Sequence, residues 1–328
     1  MNNDNKHALS PIAEASLSNW PVDAVSIELV TVSENVTFKV MGADARPYVL
    51  RIHRPGYHTL DELKAEHVFT QALHDADIQV PRPIQTKAGE GYAVVNLPDS
   101  DETRHIGMYH WVEGQILADY LKEQKYDPAL VKLWFGRAGE LMARMHKVAE
   151  TFSPDASFTR NALDADGTMG EAPFWGRFWD NARLSSSESY YLSGLRDKIL
   201  PIVRALPTDS ANYGMIHADL HSHNFLINGE TLHVIDFDDS AFGWYQFDLA
   251  VALGSPVHNE KAIDWDALFA GYQRERPVPD DFFENVQLFK LVRALNSIGW
   301  IMDRPEHIDE DSISERIAEV EKIEKVVF

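Results

Sequence analysis

Runs rich in β-branched and aromatic residues crowd the first third of this chain and then give way to helical periodicity. Residues 25–31, 36–41 and 48–52 form three such runs, separated by turn-forming stretches, and residues 91–97 and 104–112 add two more. One amphipathic helix interrupts them, since Leu60, Leu63, Val68, Phe69 and Leu73 recur largely on one face of residues 59–73. A shorter helix over 12–20 precedes the strands, and a Pro-rich link over 80–84 follows the amphipathic helix. From Ile116 onward the pattern is mostly helical. It predicts helices over 128–149, 175–183, 188–206, 244–253, 265–274, 280–302 and 313–327, the first with Leu133, Leu141, Met142 and Met145 in the core. Strands segregated from helices in this way predict an α+β chain. The expected organisation is a small antiparallel five-stranded lobe with one helix over residues 1–109, then a larger, mostly helical lobe over 110–328. A cleft between two such lobes is a preferred place for a ligand.

Composition removes several functions. The chain has 328 residues and no cysteine, so disulfides, thiolate chemistry and cysteine-ligated metals are excluded. No run of eighteen apolar residues is present, and the first sixteen residues are polar, without the apolar core of a signal peptide. The default location is the cytoplasm. A net charge of −21 argues against nucleic acid and against an anionic membrane surface as partners. It is compatible with a cationic small substrate, or with no more than a solubilising surface.

The chemistry concentrates in residues 217–236, HADLHSHNFLINGETLHVID. His217-x-Asp219 is followed five residues on by Asn224. The apolar runs 225–227 and 232–235 flank Asn228-Gly229, a hairpin signal. A hairpin returns the chain to its start, so Asp236 is expected beside Asn224. Phosphoryl transfer of the kinase type uses such a set: one carboxylate receives the acceptor hydroxyl, while an amide oxygen and a second carboxylate hold Mg²⁺. A rival uses the alternation of His217, Asp219, His221 and His223, which share a face of an extended segment and would suit a hydrolytic metal. That reading leaves Asn224 and the hairpin to Asp236 without a role.

These residues, together with 33–40, 48–55, Glu66 and the run Ile235-Asp236-Phe237-Asp238-Asp239, resemble the aminoglycoside phosphotransferase-like family, over roughly residues 20–305. The nearest branch contains stress-response Ser/Thr kinase, type II homoserine kinases and hydroxylysine kinases. The resemblance implies a two-lobed protein-kinase-like fold with ATP and Mg²⁺ as cofactors. It makes Asp219 the base or hydroxyl-orienting group, His217 a brace of the catalytic loop, and Asn224 and Asp236 the metal ligands. It also implies that Ser33, Asn35 and Thr37 lie in the turn that covers the nucleotide. Arg51 takes the place of the phosphate-contacting strand lysine, paired with Glu66, and Tyr109, His110 and Val112 hold the adenine through backbone groups.

Three departures stand out. No G-x-G-x-x-G or G-x-x-x-x-G-K-[ST] occurs, position 51 is Arg where the family often has Lys, and Asp236 is followed by Phe237-Asp238, which makes Asp238 a third candidate ligand. On the acceptor side, Trp175, Trp179, Asp239, Trp300 and Asp303 are candidates, because aromatic faces and carboxylates suit an ammonium-bearing molecule. The same aromatics at helical spacing also suit a core. The expected activity is transfer of the γ-phosphate of ATP to a hydroxyl of a small, amine-bearing acceptor: an aminoglycoside, an amino alcohol or a hydroxy amino acid. The small-molecule acceptor is the expected partner, with the enzyme a monomer or homodimer. A stress-response type protein kinase and a catalytically weak, pseudokinase-like nucleotide binder are the alternatives.

Overall fold

The computed structural model describes residues 9–32, 35–97, 102–254, 263–302, 304 and 312–328. They divide into two compact units, one running to Glu113 and including Pro154–Thr159, the other comprising Gly114–Ser153 and the residues from Arg160 on.

The first unit is built on an antiparallel sheet of β1 (Ala24–Val32), β2 (Val36–Gly42), β3 (Pro47–Ile52), β4 (Tyr92–Asn96) and β5 (Thr103–His110), in the order β1-β2-β3-β5-β4. Alternation sorts the strands into two faces. Val36, Phe38 and Val40 pair with Ile52, Leu50 and Tyr48, and all six are buried on one face, where Leu9, Ala13 and Trp20 from helix α1 (Ser10–Ser16) and its continuation join them. The opposite face carries Thr37, Arg51, Gly107 and Tyr92 in register across four strands. Helix α2 (Leu60–Asp75) reaches this second face, since the Tyr92 hydroxyl donates to the Leu63 carbonyl at 3.1 Å and the His67 ring stacks on Tyr92. A capping box starts the helix: the Thr59 side chain accepts from the Glu62 amide, and the Glu62 carboxylate accepts from the Thr59 amide.

The second unit opens with β6 (Gln115–Ile116) and α3 (Leu117–Glu123), followed by α4 (Pro128–Thr151), which begins at the Asp127 cap with proline in its first turn. Then come α5 (Ala165–Met169), α6 (Ser186–Arg204), β7 (Tyr213–Ile216), β8 (Phe225–Asn228), β9 (Thr231–Val234), β10 (Ala241–Trp244), α7 (Tyr245–Ala252), α8 (Trp265–Glu275), α9 (Val286–Met302) and α10 (Ser312–Val327). α4 and α8 approach backbone to backbone. A Cβ on Gly139 would stand 2.0 Å from the Leu268 carbonyl oxygen, so only glycine fits there.

Several expectations need correction. Residues 175–183 form a series of turns instead of a helix: Gly176 has φ +87° and breaks it, while Trp175, Phe178 and Trp179 are all buried. The helix expected over 280–302 is two pieces, the 3-10 turn Asp280–Phe283 and then α9. Leu133 and Val68 are exposed, because each helix buries a narrower stripe than its run of apolar residues suggests. The four-residue strands β7 and β10, the short β6 and helices α3 and α5 had no expectation at all.

Candidate active site

β7 delivers His217 at its end, and the loop turns sharply there because Ala218 adopts φ +67°. A left-handed alanine is strained and persists only where its surroundings hold it. The restraint comes from α7. Asp248, fully buried, accepts from the His217 amide at 3.0 Å and from the Ala218 amide at 2.7 Å. The buried His146 of α4 bonds the same carboxylate at 3.1 Å and the Tyr272 hydroxyl at 2.8 Å. Arg276 donates to that hydroxyl and to Glu150, closing a polar network behind the loop. Asp248 and this network have no counterpart in the sequence reading. The available signal was a carboxylate inside a helix whose eight residues are otherwise apolar or aromatic apart from Gln246.

His217 points inward. Its Nε2–H donates to the Ile235 carbonyl at 3.0 Å, and its Nδ1 accepts from the Asp219 amide at 3.3 Å. Burial lowers its pKa despite the nearby Asp248 and Asp219 carboxylates, and both ring nitrogens are committed to backbone partners. A metal role for His217 is thereby removed. Among the described residues no group of three or more His, Cys, Asp or Glu comes together to hold an ion.

Asp219 is half-buried. Its Oδ2 faces His221 at 3.2 Å and the Asn224 side-chain nitrogen at 3.2 Å. Its Oδ1 accepts from Arg293 Nη2 of α9 at 2.7 Å. Burial would raise this carboxyl, but the His221 hydrogen bond and the charges of His221 and Arg293 outweigh it and hold the pKa well below the usual carboxylate range. Arg293 is a second residue that the sequence reading missed. The clue was a guanidinium in the stretch Leu291–Leu295, between buried Val292 and Ala294.

The hairpin brings the remaining candidates together. The β8–β9 turn has Gly229 at φ +60°, and the Phe225↔Val234 pairing places Asn224 opposite Ile235, whose amide donates to the Asn224 carbonyl at 3.0 Å. Asp236 therefore stands next to Asn224, with φ +68° and its side chain exposed. The Asn224 amide nitrogen is spent on Asp219, bonding its carbonyl at 2.8 Å, which turns the side-chain oxygen the other way. An amide oxygen beside a carboxylate is the donor set of a hard cation, and Mg²⁺ fits these residues. Asp238 is buried two residues on. The turn through 237–240 hangs on buried Arg160, whose guanidinium donates to the carbonyls of Phe237 at 3.2 Å, Asp238 at 2.6 Å and Ser240 at 2.6 Å.

In the first unit, Arg51 stands in register with Thr37 and Gly107, and Glu66 is buried on α2. Both lie within electrostatic reach of the buried Tyr92 hydroxyl. Burial, Tyr109 and Glu66 raise its pKa and Arg51 lowers it. Tyr92, Tyr109 and His67 form a hydroxyl–hydroxyl–imidazole chain at 3.0 and 3.1 Å, and Gly107 leaves room for the two phenol rings. Asn35 accepts from the Arg54 amide at 3.0 Å, tying the start of β2 to the residues after β3. Of the residues expected to hold adenine, Tyr109 pairs with Val49 in the ladder, the His110 amide donates to the Arg82 carbonyl, and Val112 lies beyond the end of the strand. Ser33 lies outside the described residues, as does Asp303.

The aromatics expected at the acceptor are largely walled in. Trp179 is buried with Phe178 at its edge and Arg177 and Arg196 over its ring, which places it in packing. Trp175 is buried, stacked on Phe247, and covered by Arg293 at 5.0 Å. Trp300 carries Arg304 over its ring at 4.4 Å, and Asp239 is half-buried at the Arg160 turn.

An antiparallel sheet, a helical unit and a carboxylate loop beside an amide–carboxylate hairpin define a kinase-like phosphotransferase. The model of the phosphotransferase enzyme family matches residues 28–282, and the chain belongs to that family. The chain is similar to a solved microcompartment-associated aminopropanol kinase, with 27% identity, a TM-score of 0.79, and 95% of this chain and 94% of the other covered. A solved amicoumacin kinase in complex with AMP-PNP, Ca²⁺ and its ligand superposes with a TM-score of 0.76 at 16% identity, covering 100% and 96% of the two chains. The serine/threonine protein kinase RdoA of Salmonella typhimurium is 21% identical over 277 residues, 83% of this chain and 75% of that protein. No helix among the described residues is long and apolar enough to cross a membrane.

Proposed function

We propose that this phosphotransferase moves the γ-phosphate of ATP, with Mg²⁺, to a hydroxyl of a small, amine-bearing acceptor in the cytoplasm. The observation that carries the reading is the Asn224 bond to Asp219 together with the hairpin that sets Asn224 opposite Ile235, the neighbour of Asp236. Asn224 and Asp236, with Asp238, would hold Mg²⁺, which when bound neutralises developing charge on the phosphates. Asp219 orients the acceptor: the hydroxyl donates to the carboxylate, which stays ionised because its pKa is depressed, and passes its proton late, as bonding to phosphorus completes. Arg51, braced by Glu66 within the 1–109 lobe, would contact phosphate bidentately in place of a lysine. The solved aminopropanol kinase and amicoumacin kinase support a small acceptor. A protein acceptor usually needs a long segment after the metal aspartate, and here β10 begins at Ala241, five residues beyond Asp236.

The test is ADP release with a panel of amino alcohols, hydroxy amino acids and aminoglycosides. Turnover that depends on both acceptor and divalent cation is expected. Tight ATP binding without turnover on any acceptor would favour the pseudokinase alternative.

A further inference from the structure

Arg293 has one hydrogen bond among the described residues, to Asp219, although a guanidinium carries five donors. Its side chain is 23% exposed, so it is not sealed inside the core. It is also held in place. The guanidinium lies over the ring of Trp175, which is buried and stacked on Phe247, so the planar fork is fixed before any ligand arrives. Its position relative to the chemistry follows from Asp219. An acceptor hydroxyl must come within about 3 Å of that carboxylate to donate to it, which puts the reacting oxygen within about 6 Å of the guanidinium. Whatever the acceptor carries on the neighbouring carbons meets a fixed positive charge. An ammonium there is repelled, whereas a carboxylate is bound by a fork that matches its geometry.

We infer that Arg293 reads a carboxylate on the acceptor. Of the amine-bearing acceptors proposed above, this site then takes a hydroxy amino acid, with its carboxylate a carbon or two from the reacting hydroxyl and its amine turned away from Arg293. The inference rests on the kinase reading and narrows it.

Acceptors that differ only by the carboxylate provide the test: serine against ethanolamine, and threonine against 1-amino-2-propanol, in the wild type, Arg293→Gln and Arg293→Lys. The wild type is expected to favour the acid of each pair by at least about tenfold in kcat/KM, as a dedicated ion pair allows. Arg293→Gln should abolish that preference mainly through KM for the acid, and Arg293→Lys should retain part of it, because the charge survives without the fork. Melting temperatures confirm that both variants are folded. Equal losses for acid and amine in Arg293→Gln overturn the inference and leave Arg293 a positioning residue for Asp219. A wild type that prefers the amino alcohols, or turns over only aminoglycosides, overturns the inference while the kinase reading stands. No turnover on any acceptor overturns both.

Discussion

Individual side chains in the loop carry separable jobs. Asp219→Asn keeps the shape and removes the charge, so kcat should fall by about 10²–10⁴ while nucleotide affinity, measured by calorimetry, changes little. His221 is among the groups that hold the Asp219 pKa down. In His221→Ala the acid limb of the kcat/KM profile should therefore move to higher pH; an unmoved limb would show that another group sets it. Asp236→Ala should weaken nucleotide binding only when divalent cation is present. The HxD…N…D spacing was readable because it lies within twenty residues and each member is a chemically distinctive type. Arg293 and Asp248 were harder to see, because their partners are 74 and 31 residues away in sequence. Their only local mark is a charge set in an apolar helix, which by itself names no partner.

At the scale of elements, what was legible depended on length and punctuation. The five-stranded sheet and α2 announce themselves through alternation, 3.6-residue periodicity and the Thr59–Glu62 box, and the β8–β9 hairpin through Asn228-Gly229. β7 and β10 are four residues each, too short for a period to accumulate, and they exist because they pair with each other from Tyr213↔Trp244 to Ile216↔Ala241. The aromatic stretch at 175–183 imitates a helical stripe, yet Gly176 turns it and its rings pack in different directions. Two substitutions probe this level. Thr59→Ala removes the cap of α2 and should cost about 1 kcal/mol in denaturant unfolding. Gly139→Ala forces a methyl into the Leu268 backbone and should cost more, about 1–3 kcal/mol or beyond, since neither helix can give way cheaply.

Across the whole molecule, half-buried His67 and buried His146 and His217 make the fold acid-sensitive. Burial depresses His67 from its ordinary 6.5 to about 3, and lowers His146 and His217 as well. A base whose folded pKa lies below its unfolded one takes up its proton on unfolding, so stability is full above about pH 6.5 and declines as pH falls from there toward 3. Urea midpoints measured across that range should fall, with a shallower slope in His67→Gln; a flat wild-type profile would contradict the assignment. Asp248 has a consequence for motion as well. Two amides of the catalytic loop end on a carboxylate rooted in a helix that is buried along its whole length. Those amides can exchange with solvent hydrogen only when that helix loosens. Deuterium uptake at His217 and Ala218 should therefore be as slow as in the interior of α7, and partial denaturation should extinguish turnover and the core together, without an inactive but folded stage.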